Sequence, residues 1–99
     1  MSKEWSEMVD ENDEYHFITE KGVRYVIYKN DIFYERVGSL EITRKKVKNI
    51  TDIKGLKFIT HLKRLRLGKN FISEIKGFES MKKLEVLSIG DNPIPQGKL

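Results

Sequence analysis

The sequence predicts an α/β repeat fold, in which short parallel strands alternate with tight return segments behind an antiparallel strand meander. Three observations carry that expectation. From Leu62 onward the chain repeats every 22 residues: Leu62, Leu65, Leu67, Asn70 and Ile72 recur as Leu84, Leu87, Ile89, Asn92 and Ile94, and Gly68 and Gly90 follow the strand-like runs. Each unit opens with alternating apolar residues and continues with apolar residues at every third position. Composition also shifts near Val37-Gly38. Residues 1–36 hold nine acidic and five basic side chains, whereas residues 37–99 hold six and fourteen. An internal repeat outranks a single motif, because each unit buries its apolar face only against its neighbour.

The organisation expected is one domain over 1–99, with an acidic segment at 1–14, a strand meander at 15–38, about three repeat units at 39–95 and a tail at 96–99. Residues 1–14 carry an isolated apolar cluster, Trp5, Met8 and Val9, and read equally as a short helix or an acidic tail. Tyr15–Thr19, Val23–Tyr28 and Ile32–Val37 read as three strands, separated by the turn residues Glu20-Lys21-Gly22 and Lys29-Asn30-Asp31. Tyr25, Val26, Ile27 and Tyr28 run together, as if both faces of that strand were covered. Such a meander would cap the first repeat and shield its edge.

Leu40/Ile42, Leu65/Leu67 and Leu87/Ile89 alternate, which puts each pair on one strand face. Between the strands, Ile50, Ile53, Leu56, Ile59, Leu62 and Leu65 fall at every third position. An α-helix drifts about 60° per three residues, so six such positions would wind around it. A spacing of three instead fits a 3₁₀-helix or successive turns. Gly55 and Gly77 recur within these return segments.

Leu62-x-x-Leu65-x-Leu67-x-x-Asn70-x-Ile72-x-x-Ile75-x-Gly77-Phe78-x-x-Met81 resembles one leucine-rich repeat, of the short 22-residue class named for a regulatory subunit of a protein phosphatase. The unit from Leu84 repeats it. The unit from Leu40 is longer, at 25 residues, and has Lys45 where Asn70 and Asn92 stand later. The resemblance covers about residues 39–95. It implies a right-handed, curved solenoid with parallel strands on its concave face. It also implies that Asn70 and Asn92 turn inward to satisfy backbone groups at the turn after each strand. Gly68 and Gly90 are expected to serve tight backbone geometry there.

No cofactor or metal site is expected. The histidines, His16 and His61, lie in different contexts with no cysteine nearby, and the phosphate-binding glycine patterns are absent. Asp10, Glu11, Asp13 and Glu14 lack calcium-loop spacing and its glycine. The reading is therefore a non-enzyme, a protein-interaction module with an unidentified partner. Glu41, Thr43, Arg44, Arg64, Arg66, Lys69 and Ser88 form the candidate concave surface, and its guanidinium groups favour an acidic protein. Nucleic acid is the rival partner. Against it, no aromatic interleaves with the basic strand residues, and the acidic first part would repel phosphates. A third reading is self-assembly. Leu84, Val86, Leu87, Ile89 and Ile94 are expected at an open carboxyl-terminal strand edge that could close against a second copy as a homodimer. No run approaches the ~20 apolar residues of a membrane span. Cysteine is absent and the first residues lack an apolar leader core, so a cytoplasmic location is expected.

Overall fold

Five short strands form two sheets in a computed structural model that describes residues 13–95. The candidate helix or tail at 1–14 therefore lies almost wholly outside the described residues, as does the tail. β1 (Tyr25–Tyr28) and β2 (Asp31–Tyr34) make an antiparallel hairpin. β3 (Ser39–Glu41), β4 (Arg64–Arg66) and β5 (Val86–Ser88) make a parallel sheet in that order. Its register sets Leu40 beside Leu65 and Leu65 beside Leu87, so strand pairing follows the two repeat lengths read from the sequence.

The return after β3 is built from two 3₁₀ turns, Ile50–Asp52 and Leu56–Phe58. Ile53 donates to the Ile50 carbonyl at 3.0 Å and Ile59 to that of Leu56 at 3.1 Å. Bonds three residues back keep every third side chain on one side, and Ile50, Ile53, Leu56, Ile59 and Leu62 are all buried. The next return uses turns alone, with Met81 donating to the Phe78 carbonyl at 3.0 Å. No α-helix occurs among the described residues, so 3₁₀ turns supply the helical layer of this α/β fold.

The core is continuous from Val26 and Tyr28 of the hairpin through Leu40, Leu65 and Leu67 to Ile72 and Met81. Both faces of β1 are covered: Val26, Ile27 and Tyr28 are each at most 7% exposed. Ile27 exchanges two backbone hydrogen bonds with Lys54, at 2.8 and 2.9 Å, which ties the hairpin to the first return segment. On the same side Phe17 is buried against Gly55. Gly55 has φ +91°, and a Cβ there would lie 2.4 Å from Phe17 Cδ1, so both backbone and space demand glycine.

The expected strand at Tyr15–Thr19 is not one. Glu14–Phe17 is a 3₁₀ turn, and only Ile18 makes an extended bridge, to Arg24. Asp13 decides this: its carboxylate accepts from the Tyr15 amide at 2.9 Å and caps the turn. A local cap outweighs the β-preference of the aromatic run. The meander is thus a two-stranded hairpin with a leading turn, and its strands are shorter than Val23–Tyr28 and Ile32–Val37. The last strand is likewise confined to Val86–Ser88 within the run Leu84–Ile89.

Candidate protein-interaction surface

Two inward-turned asparagines set the geometry of the parallel sheet. Asn70, 3% exposed, accepts through Oδ1 from the amides of Lys45 (3.0 Å) and Val47 (3.2 Å). Its Nδ2 donates to the carbonyls of Ile42 and Leu67, each at 2.9 Å, and to Gly68 at 3.3 Å. Asn92 accepts from the Ile72 amide at 2.9 Å and donates to Leu67, Ile89 and Gly90. Each asparagine therefore stitches its own turn to the unit before it, satisfying backbone groups that would otherwise be buried without partners. Lys45, in the first unit, receives this stitching through its backbone while its ammonium lies 3.6 Å from Asp31 of the hairpin.

The two post-strand glycines do not themselves adopt the left-handed backbone. Neither Gly68 nor Gly90 has a positive φ; the residue after each does, Lys69 at +59° and Asp91 at +59°, with Arg44 at +58° in the first unit. The sharp turn after each strand is thus made by three polar side chains that stand outward in a row. A Cβ on Gly68 would come within 3.4 Å of the Gly90 carbonyl, so Gly68 serves close approach between neighbouring turns.

On the strand face, Glu41, Arg66 and Ser88 align across β3, β4 and β5 and all are exposed. The residues between, Leu40, Leu65 and Leu87, face the core. Arg64 is half-buried and committed: its Nε donates to Ser39 Oγ at 2.6 Å and its terminal nitrogen to the Val37 carbonyl at 2.8 Å. It braces the entry to β3. The Arg66 side chain has no hydrogen bond or ion pair among the described residues.

Two depressions open beside these rows. One of about 270 Å³ gathers Glu41, Thr43, Arg44, Lys69 and Asp91 at the post-strand turns. Lys69 Nζ lies 2.8 Å from the Asp91 carboxylate, and this hydrogen bond and charge hold Asp91 below the usual carboxylate range, with Arg44 adding to the effect. The other, of about 500 Å³, lies between the hairpin and the parallel sheet, where Ile32, Phe33, Tyr34 and Arg36 face Glu41 and Arg66. The structure therefore divides the sequence candidates: Glu41 borders both depressions, Thr43, Arg44 and Lys69 one, Arg66 the other, and Ser88 neither.

Sequence reasoning missed Ile32, Tyr34 and Arg36. The signal was there: Ile32 and Tyr34 alternate with Phe33, in a hairpin strand bearing neither proline nor lysine to blunt its edge. It also missed that Tyr34 stands beside Arg36 and Arg66, an aromatic–basic juxtaposition that the repeat strands themselves lack. At the other end, Leu84, Leu87, Ile89 and Ile94 are only partly buried against the core, and Val86 is 44% exposed.

Among the described residues no three His, Cys, Asp or Glu side chains are grouped to hold a metal ion, and no helix is long and apolar enough to cross a membrane. His61 faces Glu35 at 3.4 Å and His16 faces Asp13 at 3.7 Å, so each histidine has a carboxylate neighbour at the surface. Comparison with curated proteins and with solved structures returned no match. Residues 60–96 match the family model described as leucine-rich repeats in two copies. That segment holds both asparagines, β4 and β5, and it is this part of the chain that is similar to leucine-rich repeats.

Proposed function

We propose that the chain is a non-catalytic protein-interaction module, built as a short solenoid and working in a reducing, cytoplasmic setting. Leucine-rich-repeat domains generally mediate protein–protein interaction. The observation that carries the reading here is the aligned exposed row Glu41–Arg66–Ser88 over a fully apolar row, flanked by the turn residues Arg44 and Lys69. Parallel strands in register display side chains as rows, and such rows recognise an extended surface. The basic excess favours an acidic protein partner. The 22-residue spacing supports the short repeat class, and that class alone assigns no partner.

The test is capture by the immobilised full chain, repeated with Arg44→Glu combined with Arg66→Glu. Both side chains are exposed and outside the asparagine network, so the circular dichroism spectrum should not change. A saturable protein ligand lost from the double variant supports the reading. Retention unaffected by the double variant overturns it.

A second reading rests on its own observation. The β5 end leaves Val86 and parts of Leu84, Leu87, Ile89 and Ile94 uncovered among the described residues, which suits closure against a second copy.

A further inference from the structure

The hairpin has an open edge of its own. The Glu35 amide donates to the Arg24 carbonyl at 2.9 Å, which sets the alternation of the β1–β2 ladder. Antiparallel pairs alternate between bonded and non-bonded, so Val26–Phe33 and Tyr28–Asp31 exchange bonds whereas Ile27–Ile32 and Tyr25–Tyr34 do not. The Ile27–Lys54 bonds fix the same phase independently, because Ile27 turns its backbone away from β2. The amides and carbonyls of Ile32 and Tyr34 therefore point outward from β2, and no partner for them occurs outside the ladder among the described residues. β2 carries neither proline nor lysine, and Ile32 and Tyr34 are 47% and 44% exposed.

This edge borders the groove of about 500 Å³, whose other wall carries Glu41 and Arg66. Arg36 and Arg66 both line it. Neither has a carboxylate within ion-pair distance among the described residues, although Arg24, Lys45, Lys69 and Lys76 all have one. Two uncompensated guanidinium groups beside unpaired backbone define a ligand that supplies both carboxylates and a peptide backbone.

We propose that β2 captures an extended acidic segment of a partner protein, which adds to the hairpin as a further strand through Ile32 and Tyr34 and sets its carboxylates against Arg36 and Arg66. The inference rests on the protein-interaction reading and names the mode and the chemistry of the partner. Main-chain bonds supply affinity in strand addition, and side-chain pockets supply selectivity. Here the guanidinium pair selects. A nucleic acid could stack on Tyr34, but it would leave the outward backbone groups of Ile32 and Tyr34 unanswered. A second copy pairing edge to edge is the rival occupant, and it would show as protection of the edge that depends on protein concentration without peptide.

The experiment is amide-resolved NMR on the full chain, titrated with a capped heptapeptide alternating valine with glutamate, and separately with its valine–lysine counterpart. The glutamate peptide should slow hydrogen exchange at the Ile32 and Tyr34 amides by about tenfold or more at saturation, and the lysine peptide should not. Arg36→Glu combined with Arg66→Glu should weaken the titration by about tenfold, the scale of lost charge-assisted bonds. Ile32→Pro removes one outward amide and leaves the Val26–Phe33 bonds, so it should weaken binding while the Tyr34 amide still reports. Should that variant not fold, the arginine variant decides alone.

Protection elsewhere on the chain, or an equal response to both peptides, overturns the proposal. So does displacement of the glutamate peptide by a single-stranded oligonucleotide that itself protects the edge, or protection that depends on protein concentration without peptide. A captured protein lost on Arg44→Glu with Arg66→Glu, but with Ile32 and Tyr34 still unprotected, would sink strand addition and leave the broader reading intact.

Discussion

Asn70 is the most heavily used single side chain in the described residues. It satisfies the amides of Lys45 and Val47 and the carbonyls of three residues in two adjacent units. Asn70→Ala would strand those groups in a site that is 3% exposed, and a buried unpaired donor or acceptor costs about 1–3 kcal/mol. The expected loss is about 3 kcal/mol in urea unfolding. Asn92 is less buried and accepts one bond rather than two, so Asn92→Ala should cost about half as much. Equal losses would show that the two positions are not nested. A second residue-scale outcome concerns Asp91, whose carboxyl is held low first by the Lys69 hydrogen bond and then by its charge. Because the folded pKa is depressed, the pair's contribution is present above the unfolded value and is lost as pH falls through the folded one. Lys69→Ala should return Asp91 towards the ordinary carboxylate value in an NMR titration, and high salt should do part of the same.

The turn between the hairpin and the repeats is where an element carries strain. Arg36 and Ser39 exchange backbone bonds at 2.8 and 2.9 Å around Val37 and Gly38, both with positive φ, at 51° and 77°. A two-residue turn of that kind suits Asn-Gly, and a β-branched residue in the left-handed region is disfavoured by about 1–2 kcal/mol. Val37 is also 90% exposed, so it gains nothing by burial. Its carbonyl accepts from Arg64, and the Gly38 amide donates to the Glu35 carboxylate at 2.5 Å. Those contacts hold the turn shut. Val37→Asn keeps each of them and should raise stability by about 1 kcal/mol in thermal unfolding. No gain would mean that the turn relaxes in solution. The hairpin itself is anchored by aromatic packing. Tyr25 lies 6.0 Å from Phe17 and 5.9 Å from Tyr34, ring centroid to centroid, and burial, then the neighbouring Tyr34, pushes its phenol pKa up.

Across the whole molecule, burial drops at β5. Leu40 and Leu65 are at most 2% exposed, whereas Leu87 in the same row is only partly covered and Val86 beside it is 44% exposed. The hairpin closes one end of the core, and among the described residues nothing comparable covers the other. If a second copy closes it, light scattering over a dilution series should give twice the chain mass, and the dimer should resist high salt because its seam is apolar. Val86→Lys should then raise the dissociation constant by about tenfold or more, since an edge lysine opposes strand pairing. A single-chain mass at every concentration would remove the self-assembly reading.

Much of this architecture is encoded locally and is therefore legible in the sequence. The 22-residue repeat names β4, β5 and both asparagines, and the spacing of three in Ile50–Leu62 identifies 3₁₀ and turn returns, because each signal depends on neighbours a few residues apart. Local rules also explain the miss at Tyr15–Thr19, where one capping carboxylate overruled an aromatic run. What the sequence could not supply was the relation between distant segments. Ile27 meets Lys54, Arg64 reaches back to Ser39 and Val37, and these contacts set where the hairpin stands against the parallel sheet. That placement creates the groove between Tyr34, Arg36 and Arg66, and it turns Arg64 from a candidate ligand contact into a brace. Period and turn chemistry are properties of a short stretch of chain, so the sequence by itself determined the repeat. The groove exists only because core burial and backbone pairing join residues far apart in the chain, and only the tertiary structure decided it.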